Sequence, residues 1–297
     1  MTAAPQRAAV DLFAPAVPPG IVVGLIGAAI QLSRSPHLHE SEAAAQGLPC
    51  AYRLIDLDVL RVGAEALPDL LARAERAGFA GVNITHPCKQ AVIPLLDELS
   101  PDARAIGAVN TVIFRGGKRA GHNTDWWGFA ESFRRGLPVA ALGRVVQLGA
   151  GGGGAAVAHA LLTLGARTLV IVDIETAKAE ALVRSLAVRF GQGRVAAAAQ
   201  VAEAVAGADG LVNTTPVGMA KYPGLPLPPD LLRPALWVAD IVYFPLETAL
   251  LRAARGMGCR TLSGGGMAVF QAVKAFELFT GLTPNAERMT RAFAALG

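Results

Sequence analysis

Arg144-Val145-Val146-Gln147-Leu148-Gly149-Ala150-Gly151-Gly152-Gly153-Gly154-Ala155-Ala156-Val157 is the stretch on which the fold turns. A short apolar run feeds directly into glycines, and an alanine-rich helical run, Ala155 to Leu164, follows them. In a chain with 33 glycines a GxGxxG string alone is weak evidence. Its context strengthens it, because Gly149, Gly151 and Gly154 fall between an expected strand and an expected helix, where the first helical amides can meet a pyrophosphate. Ala150, Gly152 and Gly153 complete the candidate cofactor turn. The next apolar run, Leu169-Val170-Ile171-Val172, ends in Asp173, where a carboxylate can accept hydrogen bonds from both ribose hydroxyls. A 2′-phosphate there would face like charge, Glu175 would add to it, and no arginine follows immediately. The pattern therefore predicts NAD rather than NADP, unless Asp173 is merely a solvated strand end.

Working outward, β-rich runs alternate with helical ones, the pattern of an α/β protein with parallel sheets. Strands are expected at Ile21 to Ile26, Tyr52 to Ile55, Gly81 to Ile84 and Thr111 to Phe114, then at Arg144 to Leu148, Leu169 to Val172, Gly210 to Asn213 and Leu236 to Ile241. Ser35-Pro36 and Ser100-Pro101 each read as a helix N-cap followed by proline at the first helical position. A helix is expected from Trp126, and two more over Met267 to Gly281 and Pro284 to Ala295. The Ala-rich stretch Val195 to Ala208 is compatible with helix.

Composition narrows the classes. With 53% hydrophobic and 17% charged residues the chain folds, and 297 residues suit two domains of about 100 to 170 each. The net charge of +4 is spread over single or paired arginines and lysines, with no run resembling a nucleic-acid footprint; a mild positive field would still attract a carboxylate or a pyrophosphate. Cys50, Cys88 and Cys259 have neither metal-ligand nor CxxC spacing and are odd in number, which favours a reducing cytoplasm over a disulfide framework. The apolar run Ile21 to Ile30 lacks a basic leader and is too short to span a bilayer, so it reads as a buried first strand, and no membrane partner is expected. The five histidines are dispersed, and no metal site is expected.

The chemistry is carried by Gly81-Val82-Asn83-Ile84-Thr85-His86-Pro87-Cys88-Lys89. A lysine held in place can exchange the proton of a secondary alcohol while hydride leaves the same carbon. Asp125, in Gly121-His122-Asn123-Thr124-Asp125, is a candidate partner carboxylate, although an ordinary surface ion pair fits the spacing as well.

These residues carry a resemblance. Ser33-Arg34-Ser35-Pro36, Gly81 to Lys89, Gly107-Ala108-Val109-Asn110-Thr111, Asn123-Thr124-Asp125, the glycine turn, Asn213-Thr214-Thr215-Pro216-Val217-Gly218-Met219, and Gly266-Met267 with Gln271 stand in the order seen in shikimate dehydrogenases, from about Ile21 to the C-terminus. The resemblance implies that Ser33 and Ser35 bind a substrate carboxylate, with Tyr243 nearby, and that Thr85, Asn110 and Gln271 contact ring hydroxyls. It makes Lys89 and Asp125 the catalytic pair and aligns Thr214, Pro216, Gly218, Met219, Val242, Gly264 and Met267 along the cofactor. Hydroxyl donors suit a carboxylate, and amides or lysine suit a polyol.

Departures from the usual biosynthetic pattern point to a subgroup. Leu32 stands where a His usually precedes the first serine, Glu40 replaces an Asn, and Asp173-Ile174-Glu175 replaces the Asn-Arg-Thr cluster that accepts NADP. The chain thereby resembles the NAD-dependent bacterial quinate/shikimate dehydrogenases, enzymes linked to catabolism. Ser263-Gly264-Gly265-Gly266, in place of the usual Asp-Gly start, leaves contacts there open. The expected architecture is an α/β substrate and catalytic domain, residues 1–125 plus the returning helices 267–297, facing a Rossmann-like NAD domain, residues 126–266, in a monomer or homodimer. The rival readings are an NADP-dependent biosynthetic enzyme, an aminoshikimate or aminoquinate dehydrogenase, a folate-type methylene dehydrogenase, which the serine pair does not suit, and a non-catalytic NAD-binding regulatory module, which the intact Lys89 and Asp125 disfavour.

Overall fold

A computed structural model describes residues 12–13 and 20–296. Residues 1–11, 14–19 and 297, parts of the expected first domain, lie outside the described residues. The first sheet contains β1 (Ile21–Gly27), β2 (Cys50–Asp56), β3 (Gly81–Ile84), β4 (Glu98–Leu99), β5 (Thr111–Arg115) and β6 (Lys118–His122), in the order β2-β1-β3-β5-β6-β4. It is mixed rather than parallel: β1 runs parallel to β2 and β3, but β5 is antiparallel to both β3 and β6. The cause is local, since Gly116 (φ 59°) and Gly117 (φ 73°) form a two-residue turn that only φ-positive residues allow, folding β6 back onto β5.

Side chains of β1 alternate between two covers. Val22 and Ile26 pack with Leu67, Leu70, Leu71 and Ala74 of the Leu67–Arg76 helix. Val23 and Leu25 pack with Ala275 and Phe279 of the long Gly264–Thr280 helix. The C-terminal segment therefore does return to the first sheet, and the Ala286–Ala294 helix adds Met289 and Phe293 against Leu38.

The second sheet contains β7 (Arg144–Leu148), β8 (Thr168–Val172), β9 (Val195–Ala198), β10 (Gly210–Asn213), β11 (Trp237–Asp240) and β12 (Arg260–Leu262). All its pairings are parallel, in the order β12-β11-β10-β7-β8-β9. Successive strands step one way from β7 and the other way from β10, so the chain reverses between these two, the place where an open parallel sheet leaves a crevice beyond its strand ends. The glycine turn leaves the end of β7, and Thr214 to Gly218 leave the end of β10.

Two local expectations are corrected. Val195 to Ala208 is not one helix: Val195–Ala198 forms the edge strand β9 and only Val201–Val205 is helical, because pairing with β8 overrides the helix preference of alanine. Ser35 is not an N-cap: Arg34 occupies that position, Ser35 is the first helical residue of Ser35–Ala45, and its backbone amide donates to Ser33 Oγ at 3.3 Å. At Ser100, by contrast, the hydroxyl does accept from the amide of Ala103 at 3.2 Å.

Candidate active site

The glycine turn is built as its residues demand. Gly149 has φ 97°, and a Cβ there would lie 2.8 Å from Thr214 Oγ1; a Cβ on Gly154 would lie 2.7 Å from the Gly149 carbonyl. Gly151, between them, has nothing within 4 Å of such a Cβ, so its backbone stands open to a ligand at the start of the Gly152–Thr163 helix. Gln147, fully buried within β7, donates to the Gly149 carbonyl at 2.8 Å and the Gly154 carbonyl at 3.0 Å, tying the turn to its strand. Thr214 donates to Leu148 O and Gly149 O, so its hydroxyl serves the turn itself.

Asp173 ends the neighbouring strand as expected, and its carboxylate is already oriented. Oδ2 accepts from Ala150 N at 2.8 Å and Oδ1 from Glu175 N at 2.9 Å. A carboxylate has about four acceptor sites, so two remain for ribose hydroxyls. Ile174 beside it is fully exposed, while Glu175 pairs with Lys178 at 2.5 Å.

At the end of β3 the chain turns through Thr85, whose amide donates to Ile26 O at 2.9 Å, into the one-turn helix Cys88–Ala91. Cys88 is buried and anchors that turn; burial pushes its thiol up to about 11, which leaves it no thiolate role. Lys89, next to it, points the other way and places Nζ 2.6 Å from Asp125 Oδ2. Asp125 opens the Asp125–Gly136 helix, where the macrodipole favours a carboxylate, and Asn123 Oδ1 accepts from the amides of Asp125 and Trp126. Asn110 completes the group, donating from Nδ2 to Asp125 Oδ1 at 2.8 Å and to Thr124 Oγ1 at 2.9 Å. The Lys89 side chain also faces the cofactor turn, its Cδ lying 3.9 Å from where a Gly152 Cβ would stand.

The serine loop is held from below. Asp56, at the end of β2, accepts from Ala29 N, Ile30 N and Gln31 Nε2. Burial alone would raise its pKa, but hydrogen bonds from Gln31, Ile30, Asp58 and Ala29 outweigh it and hold the carboxyl below its ordinary value. Glu42 clamps the following helix to the C-terminus through Arg288, at 2.7 Å from each carboxylate oxygen, and through Asn285 N. Tyr243, 41% exposed, lies within the electrostatic reach of Lys89, Asp125 and Arg34.

Lys89, Asp125 and Asn110 thus converge, and Gly152 lies beside them. Gln271 lies on the Gly264–Thr280 helix where a Cβ on Gly128 would meet its backbone amide at 2.6 Å, and its side-chain amide donates to Ala268 O. Met219 and Pro216 are exposed, and Gly218 takes φ 106°. Gly264 packs so closely on the Ile241 and Val242 carbonyls that a Cβ would lie 2.3 Å from the first. Met267 lies one turn further along that helix. Asp173 meets the glycine turn at Ala150.

Several residues of the site escaped the reading of the sequence. Tyr52, Asn83, Thr111 and Thr124 form a buried polar network behind Asn110. Asp240, at the end of β11, gathers Asn213, Val242 N and Thr248, and burial holds its carboxyl above the usual range. The available signal was a polar residue inside or closing an apolar strand, as at Gln147, Asn83 and Asp240. Among the described residues no group of His, Cys, Asp or Glu is arranged to hold a metal ion, and no helix is long and apolar enough to cross a membrane.

Known proteins share this fold. Residues 25–112 match the shikimate dehydrogenase substrate binding domain, and residues 264–292 the shikimate 5′-dehydrogenase C-terminal domain. A relative from Streptomyces avermitilis, named shikimate dehydrogenase (NADP(+)), is 60% identical over 93% of this chain and 95% of its own. The chain belongs to the shikimate dehydrogenase family. Another family member, the quinate/shikimate dehydrogenase (NAD(+)) of Corynebacterium efficiens, is 50% identical over 93% of this chain and 98% of its own. Among solved structures of the family, quinate dehydrogenase from Corynebacterium glutamicum in complex with NAD superposes with a TM-score of 0.89 at 47% identity, covering 93% of this chain and 99% of that one. The two-domain α/β fold with a Rossmann-like half is the family's own. Its members here carry both cofactor names.

Proposed function

We propose that the protein catalyses the reversible, NAD-dependent oxidation of the ring hydroxyl of quinate or shikimate to the 3-dehydro ketone. Residues 1–125 and 267–297 form the substrate side, and residues 126–266 the cofactor side. The observation that carries this reading is the 2.6 Å contact of Lys89 Nζ with Asp125 Oδ2, facing the glycine turn at Gly152. When bound, the nicotinamide supplies the hydride acceptor; Gly151, with open space above its backbone, fits the approach of the pyrophosphate.

Each remaining step belongs to this chain's own side chains. Ser33 and Ser35 donate to the substrate carboxylate, Thr85, Asn110 and Gln271 hold ring hydroxyls, and Tyr243 closes over the carboxylate end. Lys89, as the free amine, takes the hydroxyl proton while the C–H hydride leaves; in reduction its ammonium returns that proton to the ketone oxygen. Asp125 holds the amine in place, and Asn110 orients Asp125 from its other oxygen. Thr214, Pro216, Gly218, Met219, Val242, Gly264 and Met267 line the cofactor at the ends of β10 and β11 and at the start of the last long helix.

NAD is favoured by the half-buried Asp173, with two acceptor sites left for ribose hydroxyls and the exposed Ile174 beside it for an adenine face. NADP is the second reading, supported by the NADP-named relative and by Lys178, the cation near Asp173. Its pairing with Glu175 at 2.5 Å weighs against it. Initial rates with quinate and shikimate, each against NAD and NADP, test the proposal. Faster turnover with NAD supports it, a preference for NADP selects the second reading, and no turnover with any pair removes both.

A further inference from the structure

We propose that Asp56 is a positioning residue of the substrate site: its carboxylate holds Ala29 in a left-handed conformation and so sets where Ser33 and Ser35 stand. This deepens the reading of those two serines as ligands of the substrate carboxylate, and rests on it.

The loop after β1 has one unusual residue. Ala29 takes φ 55°, a conformation that disfavours an L-residue with a Cβ by about five- to thirtyfold. Ala29 is exposed, so packing of its side chain does not hold it there. Asp56 does. It lies opposite Gly27 in the β1–β2 register, is 2% exposed, and reaches over the strand end to the loop. Oδ1 accepts from Ala29 N at 3.2 Å and from Asp58 N at 3.1 Å, and Oδ2 from Ile30 N at 3.1 Å and Gln31 Nε2 at 2.9 Å. Hydrogen bonds to an ionised acceptor are the stronger kind, and these N–H donors all meet one charge.

The turn at Ala29 sends its neighbours opposite ways. Ile30 is buried with Val23, Leu25, Ala275 and Phe279, while Gln31 and Leu32 emerge into solvent. Ser33 N then donates back to Ile30 O at 2.9 Å, and Ser35 N to Ser33 Oγ at 3.3 Å. Both serines are placed by a run of contacts that starts at Asp56. The root of the loop rests on the turn that carries Lys89: Ala28 N donates to His86 O at 2.9 Å, and a Cβ on Gly27 would lie 2.3 Å from Thr85 Cγ2. Without the carboxylate the loop keeps this root and its Ile30 anchor, but Ala29 is free to leave the left-handed region and carry the serines with it. A substrate must then select the fraction of molecules whose serines are in place, and its apparent affinity falls by that fraction.

The test is Asp56→Asn, alone and combined with Ala29→Gly, beside Ala29→Gly, Ser33→Ala and Ser35→Ala as single variants. Each is assayed for kcat, KM of quinate and shikimate, KM of NAD and melting temperature. Asparagine keeps the shape of the carboxylate but turns an NH2 group towards one pair of donors. The expected result for Asp56→Asn is a substrate KM about tenfold higher, as when about one loop in ten keeps the competent conformation, with kcat and the KM of NAD unchanged. Glycine adopts the left-handed conformation without penalty, so in the Ala29→Gly background the rise shrinks to about twofold. A rise of equal size in both backgrounds overturns the proposal, because Asp56 then does not act through Ala29. So does a lower melting temperature with the KM of substrate and of NAD changed alike, the mark of a merely structural carboxylate. If neither serine variant alters the substrate KM, the reading of the serines fails and takes this proposal with it; if they do and Asp56→Asn does not, Asp56 alone is overturned. Should Asp56→Asn not fold, Gln31→Ala removes one donor at an exposed position. A substrate KM about threefold higher then supports the hold on the loop, and an unchanged one overturns it.

Discussion

Replacing Asp173 by Asn puts the cofactor argument to its hardest test. The carboxylate accepts from Ala150 N at 2.8 Å, so a 2′-phosphate on an adenosine ribose bound there would come within roughly 4 Å of a negative charge. At that distance each unit of phosphate charge costs about 1 kcal/mol in a water-like dielectric and about 4 kcal/mol at an effective dielectric of 20. Asp173 is half-buried, which places the cost between these limits, at about 1 to 3 kcal/mol, or about fivefold to a hundredfold in preference. Asparagine removes the charge but keeps one carbonyl oxygen for a backbone amide and a ribose hydroxyl. The expected outcome is a fall of that size in the NAD to NADP ratio of kcat/KM, arising mainly from better use of NADP, with the substrate KM unchanged. The assay is cofactor-dependent initial rate at saturating quinate or shikimate, and a ratio that moves by less than about twofold refutes the placement of Asp173 at the ribose.

Lys89→Ala should lower turnover by about two to four orders of magnitude while the protein still binds NAD, measured by initial rates and by quenching of intrinsic fluorescence; near-normal turnover removes its acid/base role. Gly151→Ala, at a site with open space around its Cβ, should leave the melting temperature unchanged and raise the KM of NAD, whereas Gly149→Ala, at φ 97° and 2.8 Å from Thr214 Oγ1, should lower the melting temperature itself. Burial would raise the pKa of Glu42, but hydrogen bonds from Arg288, Asn285 and Gln46 outweigh it and lower it overall. Its stabilisation is therefore present above the ordinary glutamate value of about 4.3 and lost as pH falls through the lower folded-state value. Glu42→Gln should melt earlier than the parent at pH 7, with the gap closing in acid. Burial, reinforced by Arg189, lowers His159 to about 4 despite Asp102, so stability falls as pH drops below about 6.5 towards that value, and His159→Gln should flatten this slope in melting curves.

How much of this was legible in the sequence depends on where each constraint acts. β3, β7 and β10 were read with their observed bounds because each is a short, fully or almost fully buried run closed by glycine, threonine or other polar residues, whether its sheet is mixed, as for β3, or parallel. β6 was missed because Lys118-Arg119-Ala120-Gly121-His122 has almost no apolar face; it is a strand because of the Gly116-Gly117 turn and its neighbour β5. β9 was missed for a related reason, its alanines taking their conformation from β8. Lys89 and Asp125 were read as a pair from their motifs, and they do pair, but the geometry around them was not legible. Nothing in the spacing of Lys89 and Asp125 shows that Asn110 would hold the second carboxylate oxygen, since that contact depends on β5 running antiparallel beside β3.

That antiparallel pairing also explains why the Lys89–Asp125 pair and the glycine turn meet. Asn83 and Thr111 are register partners across β3 and β5, and Thr111 faces His122 across β5 and β6. The loop after β6 therefore delivers Asn123, Thr124 and Asp125 to the same end of the sheet from which β3 delivers Lys89. Asp125 is at once the partner of Lys89 and the first residue of the helix leading into the second sheet, so this ion pair sits where the chain crosses between the two halves. The glycine turn approaches from the other half, with a Gly152 Cβ position 3.9 Å from Lys89 Cδ. A Cβ at Gly152 would stand at ordinary contact distance from the stem of Lys89, so it is only a longer side chain there that would crowd the lysine. The absence of a side chain at that glycine keeps the space beside the Lys89 stem open, and the mixed first sheet brings the lysine there.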